Sequence, residues 1–127
     1  MIESCTGGAV ANAITNVPGV SNVFDEGKVT YSVESKIRAG VRKEIIEKFG
    51  VYSAETAGEM ACISRGEIGV GITGNLPGEV FVAVRIKDQV KSIKFKVESE
   101  KSNKIEARKE MKREVVERVV DVISDNF

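Results

Sequence analysis

Residues 1–16 read Met1-Ile2-Glu3-Ser4-Cys5-Thr6-Gly7-Gly8-Ala9-Val10-Ala11-Asn12-Ala13-Ile14-Thr15-Asn16. A short apolar start runs into paired glycines, and a helix is predicted from Ala9 to Asn16, ended by Pro18-Gly19. A strand that passes through a glycine turn into a helix is the opening unit of an α/β domain. The same turn is the first place to look for chemistry. A hydroxyl ahead of two glycines can present a nucleophile, and amides at a helix N-terminus suit an anion or a developing oxyanion. The stretch is equally a plain tight turn, with glycine supplying unusual dihedrals and Thr6 capping the helix. Spacing alone leaves both readings open.

Outward from this unit the pattern continues. After Asp25-Glu26-Gly27 a short strand is expected over Lys28 to Ser32. Two or three helical stretches follow between Val33 and Ser64, and Ser53 with Glu55 and Thr56 marks one start, because a hydroxyl and an early acid satisfy free amide donors. Glu67 to Ile72 is a glycine-containing buried strand. Val80 to Ile86 and Val90 to Val97, rich in β-branched residues, form a hairpin about Lys87-Asp88-Gln89. A last helix spans about Asn103 to Ser124, with Ile105, Met111, Val115, Val116, Val119, Val120 and Ile123 on one apolar face. No repeat, low-complexity run or linker interrupts residues 1–127, so one domain is expected. The order predicts a three-layer α/β/α sandwich around a mixed, mainly parallel sheet with one antiparallel strand.

Composition narrows the function. Lys plus Arg and Asp plus Glu stand at 19 each, so no overall basic field would hold a polyanion and no nucleic-acid partner is expected. No apolar stretch approaches the length of a membrane span, so no membrane partner is expected either. The first residues carry Glu3 and no basic leader, unlike a signal peptide, and the cytoplasm is the expected compartment. Two cysteines outside any CxxC pair and the absence of histidine argue against a zinc site or a disulfide scaffold. Zero histidine also removes every Ser-His-Asp and Cys-His mechanism. Nucleophilic chemistry would then need another base, and lysine is the usual substitute.

Three further groups of residues bear on chemistry. In Thr30-Tyr31-Ser32-Val33-Glu34-Ser35-Lys36 a strand ends and a helix begins, and Ser32 can cap it. Lys36 would then lie in the first turn or just beyond, where the helix dipole and burial both disfavour an ammonium, while a nearby Glu34 would favour it. A lysine with a lowered pKa can take a proton from serine; the alternative is a solvated surface lysine. Gly71-Ile72-Thr73-Gly74-Asn75-Leu76-Pro77-Gly78 can line a pocket at the carboxyl end of the sheet, or simply connect two strands. Lys104 and Arg108, one helical turn apart, can hold a phosphate or be solvated charges.

Taken together these segments resemble the CinA C-terminal domain family, also known as nicotinamide mononucleotide deamidases. ESCTGG at 3–8 matches the family signature without change. TNVPGVS at 15–21, VTYSVESK at 29–36, VYSAETAGEMA at 51–61 and GITG at 71–74 are similar to family segments in the expected order. The resemblance implies a three-layer α/β/α domain that hydrolyses the carboxamide of nicotinamide mononucleotide to nicotinic acid mononucleotide and ammonia. It assigns Ser4 as nucleophile, Lys36 as general base and Tyr31 as assisting hydroxyl. Thr6, Gly7, Gly8, Thr73, Gly74 and Arg108 are the expected substrate-binding positions, with a small-molecule nucleotide as partner, a homodimer as the family leads one to expect, and neither metal nor cofactor.

Departures from the family pattern motivate an alternative. The family's helix and strand ahead of ESCTGG are expected to be largely missing, and its long loop after ITG is reduced to Asn75-Leu76-Pro77-Gly78. Val33 replaces an asparagine, and Ser102-Asn103-Lys104 stands where the family has a Gly-Asp-Arg type stretch. The alternative is a catalytically degenerate relative that binds a nucleotide or plays a structural role. Cys5 is a rival nucleophile beside Ser4.

Overall fold

The computed structural model describes residues 1–125. In chain order the elements are β1 (Ile2–Glu3), α1 (Ala9–Thr15), a 3₁₀ turn (Val20–Asn22), β2 (Lys28–Val29), α2 (Val33–Ala39), α3 (Lys43–Phe49), α4 (Ala54–Ile63), β3 (Ile68–Gly74), β4 (Gly78–Ile86), β5 (Gln89–Val97) and α5 (Lys104–Asp125). The five strands form one sheet in the order β2-β1-β3-β4-β5. β1 runs parallel to both β2 and β3, and β4 is antiparallel to β3 and to β5. β4 is therefore the single reversed strand, as the pattern of elements predicts.

Period-two alternation along β4 sorts its side chains between two layers. Val80, Val82 and Val84 join a core with Val10 of α1 and Met111, Val115 and Val119 of α5. Ala83, on the opposite face, packs with Ala57 and Ala61 of α4. Helices thus cover both faces, giving the three-layer sandwich. On β3 the face towards α4 carries Gly69 and Gly71, where a Cβ would overlap the carbonyl oxygens of Ala61 and Ala57. The glycines let the helix backbone lie directly on the strand.

Two features of the sequence reading change. The strand expected over Lys28 to Ser32 pairs only at Lys28–Val29, because Ser32 leaves it to cap α2. On α5 the buried stripe is Met111, Val115 and Val119, while Ile105 and Val120 are exposed. A stripe repeating every four residues is wide enough to meet the sheet; Val120 lies one position round the helix from it.

Candidate active site

The ESCTGG segment has a division of labour that begins with Glu3. Its carboxylate is fully buried and accepts hydrogen bonds from the Val10 and Ala11 amides, at 3.1 and 3.0 Å, and from the Thr6 hydroxyl. Free amides at a helix start attract an anion, and here the chain supplies its own. Thr6 therefore does not cap α1. Gly8 holds the cap position with φ 103°, and Gly7 has φ 59°. This left-handed pair turns the chain from the strand into the helix, a path that side chains with a Cβ resist.

Ser4 follows Glu3 at the carboxyl end of β1. The Thr30 amide donates to the Glu3 carbonyl at 2.9 Å, so parallel pairing brings Thr30 beside Ser4. Two residues on, Ser32 caps α2 in a reciprocal box: its hydroxyl accepts from the Ser35 amide, and its amide donates to the Ser35 hydroxyl. Such a cap is worth about 1 kcal/mol and settles where the helix begins. Lys36 is the fourth residue of that helix and turns inward. Its Nζ lies 2.9 Å from Ser4 Oγ and donates to the Thr30 carbonyl at 2.7 Å. The lysine is 1% exposed and Ser4 4% exposed.

Burial lowers the Lys36 pKa below the ordinary lysine value, with the nearby Cys5 thiol pulling weakly the other way. Glu34 is exposed in the same first turn and is not among the groups that shift Lys36. Burial also pushes the Cys5 thiol up, to about 11, so it is protonated near neutrality and unsuited to attack. A serine hydroxyl in contact with a buried amine of lowered pKa is the arrangement that can generate a nucleophile without histidine.

Ser4 and Cys5 open into a cleft of about 120 Å³ bounded by Tyr31, Tyr52, Gly74, Asn75, Leu76 and Arg108. The Arg108 guanidinium donates to the Leu76 carbonyl at 2.8 Å and to the Tyr31 hydroxyl at 3.2 Å, spanning the rim. A larger hollow of about 680 Å³ surrounds the β4–β5 turn at Lys87, Asp88 and Gln89. Among the described residues its lining has no serine, threonine or cysteine, so chemistry rather than volume picks the smaller cleft.

A family model described as the CinA C-terminal domain matches residues 1–124. The chain belongs to the CinA C-terminal domain family. A CinA-like protein of Fusobacterium nucleatum is 40% identical across 84% of this chain, which spans 29% of that protein. A CinA-like protein of Kosmotoga olearia is 57% identical across 57% of this chain and 19% of its own length. The chain thus covers less than a third of these curated relatives. Among solved structures, the competence/damage-inducible protein CihA of Agrobacterium tumefaciens superposes with a TM-score of 0.75 at 31% identity, over 94% of this chain and 81% of that one. The competence damage-inducible protein A of Klebsiella pneumoniae gives 0.86 at 21% identity over 98% and 82%, a likeness of fold.

Of the expected site positions, the structure gathers Ser4, Lys36, Tyr31, Gly74 and Arg108 at or beside the cleft. Thr6, Gly7, Gly8 and Thr73 are not on its lining. The Thr6 hydroxyl is committed to Glu3, the two glycines form the turn, and the Thr73 hydroxyl donates to the Val51 carbonyl at 3.0 Å. Lys104 is exposed at the start of α5 and stands off the cleft that Arg108 reaches. Tyr52 is the lining residue that the sequence reading did not single out. Its signal was an aromatic placed immediately before the Ser53 helix cap.

Proposed function

We propose that this chain hydrolyses the carboxamide of nicotinamide mononucleotide, releasing ammonia and leaving nicotinic acid mononucleotide. The observation that carries the reading is the 2.9 Å approach of Lys36 Nζ to Ser4 Oγ in a buried setting. Neutral Lys36 takes the hydroxyl proton as Ser4 Oγ bonds to the amide carbon. Glu3 occupies the Val10 and Ala11 amides, so the oxyanion is assigned to the turn between Ser4 and Gly8 rather than to the helix end. Collapse of the tetrahedral intermediate breaks the carbon–nitrogen bond. The proton held by Lys36 passes to the departing nitrogen, assisted by the Tyr31 hydroxyl, and ammonia leaves. Water then attacks the acyl-serine ester, returning the Ser4 hydroxyl and the free acid. The Thr30 carbonyl bonded to Nζ holds the amine on the serine throughout, as a third group does in other dyads.

Arg108 at the rim is assigned to the substrate phosphate, for which a guanidinium is well shaped. Purified protein is expected to release ammonia from nicotinamide mononucleotide, and Ser4→Ala to reduce that release to the uncatalysed rate. Full activity in Ser4→Ala would remove Ser4 from the role. A second reading, nucleotide binding without turnover, draws on the rim already bridged by Arg108. Calorimetric binding of the nucleotide with no ammonia release would favour it.

A further inference from the structure

The geometry points to Tyr52 as a specificity-determining residue, an aromatic wall that selects amides carried on a flat ring. The inference rests on the hydrolytic reading of Ser4 and Lys36 and adds a residue to it. Both tyrosines of the chain line the one small cleft that contains Ser4. Tyr31 is 61% exposed and its hydroxyl accepts from Arg108, while Tyr52, 50% exposed, stands on the segment that leads into α4.

The backbone under that ring is pinned from both sides. Before it, the Val51 carbonyl accepts the Thr73 hydroxyl of β3. After it, Ser53 caps α4 by accepting from the Thr56 amide, and the Ser53 and Thr56 hydroxyls both donate to the Gly50 carbonyl, at 2.8 and 2.7 Å. Four hydrogen bonds thus brace residues 50–53 around one side chain that is left half in water. An aromatic side chain carried on a braced backbone beside a nucleophile needs little backbone ordering when a ligand ring stacks on it. The cleft, at about 120 Å³, is well below the roughly 300–1,000 Å³ of sites that enclose drug-sized ligands. It accommodates the reacting end of a substrate, the carboxamide and the ring bearing it, with the remainder lying over the rim. An aliphatic amide would leave the Tyr52 face bare and gain nothing from it.

Steady-state kinetics on nicotinamide mononucleotide test this with Tyr52→Ala and Tyr52→Phe. Loss of the ring should raise KM about 3- to 10-fold, the scale of one aromatic pair, with a much smaller change in kcat. Tyr52→Phe should bring KM back to within about twofold, because the face and not the hydroxyl makes the contact. An unchanged KM in Tyr52→Ala, or a Tyr52→Phe as impaired as the alanine variant, overturns the assignment. Binding separates this from the hydrolytic reading. Calorimetry of nicotinic acid mononucleotide with Ser4→Ala, and with Ser4→Ala/Tyr52→Ala, reports the wall without any chemistry. At least threefold weaker binding in the double variant sustains the role of Tyr52 even if the wild-type chain turns nothing over. Equal affinities, or no binding to either protein, sink it.

Discussion

Lys36 accepts a proton only while its amine is neutral, so the environment of one nitrogen governs the chemistry proposed for this chain. An exposed lysine, with a pKa of 10.5, is almost wholly charged near neutrality. Burial lowers that value here because an ammonium loses more hydration than its two oxygen neighbours return. Activity should therefore rise with pH through a limb set below the ordinary lysine value, and a pH profile of kcat/KM checks it. A limb at 10.5 or above would mean that the amine is solvated during catalysis. Lys36→Met should lower kcat/KM by about 10²- to 10⁴-fold, the usual contribution of a positioned base. The sign for stability follows from the same shift. Between the lowered native value and 10.5 the unfolded chain carries a proton that the native chain has shed, so folding is favoured increasingly as pH rises across that window. Below it the native state bears the full cost of a charged buried amine.

Among the elements, the contact of α4 with β3 has the least room. Gly69 and Gly71 present bare backbone to a helix face built of Ala57 and Ala61, with Met60 beside them. A methyl at Gly71 would meet the Ala57 carbonyl oxygen, the Ala61 amide nitrogen and the Met60 Cβ. Backbone cannot swing aside as a side chain does, so the whole helix would have to lift. Gly71→Ala should cost about 3 kcal/mol, the upper end for overpacking, read as a lower urea midpoint at unchanged slope. A loss under about 0.5 kcal/mol would show that α4 is seated further from the strand. At the end of the same helix, Arg85 of β4 donates to the Ala61, Ser64 and Gly66 carbonyls, satisfying acceptors that a helix end leaves over. The position of α4 matters to the cleft, because Tyr52 immediately precedes its Ser53 cap.

Across the molecule, order falls from the centre of the sheet towards the β2 edge. β4 pairs over seven residues with β3 and nine with β5 and contributes Val80, Val82, Ala83 and Val84 to the core, whereas β1 and β2 pair over two residues each. The candidate dyad spans that short β1–β2 junction. Native-state hydrogen exchange should find the slowest amides in β3 and β4 and faster exchange at Lys28 to Thr30, since local opening follows buried contact. Saturating nucleotide should then slow the β1–β2 amides most, because binding stabilises the closed form by mass action. Uniform protection over all five strands without ligand would contradict the gradient.

Much of this was legible in the residues. The absence of histidine pointed to lysine as the base, and Ser32 and Ser53 were visible as helix caps because capping is decided within three residues of chain. β-Branched runs and the four-residue spacing of Met111, Val115 and Val119 located the strands and the last helix, since burial of a face imposes its period on the sequence. What the sequence could not decide depends on partners far along the chain. Whether Lys36 is buried or solvated, whether the Glu3 carboxylate faces a ligand or its own helix, and whether Tyr52 stands at the cleft were all open. Only the parallel pairing of β1 with β2 brings residues 4 and 36 into contact, and only the packing around that pair removes the water that would otherwise favour the charged amine.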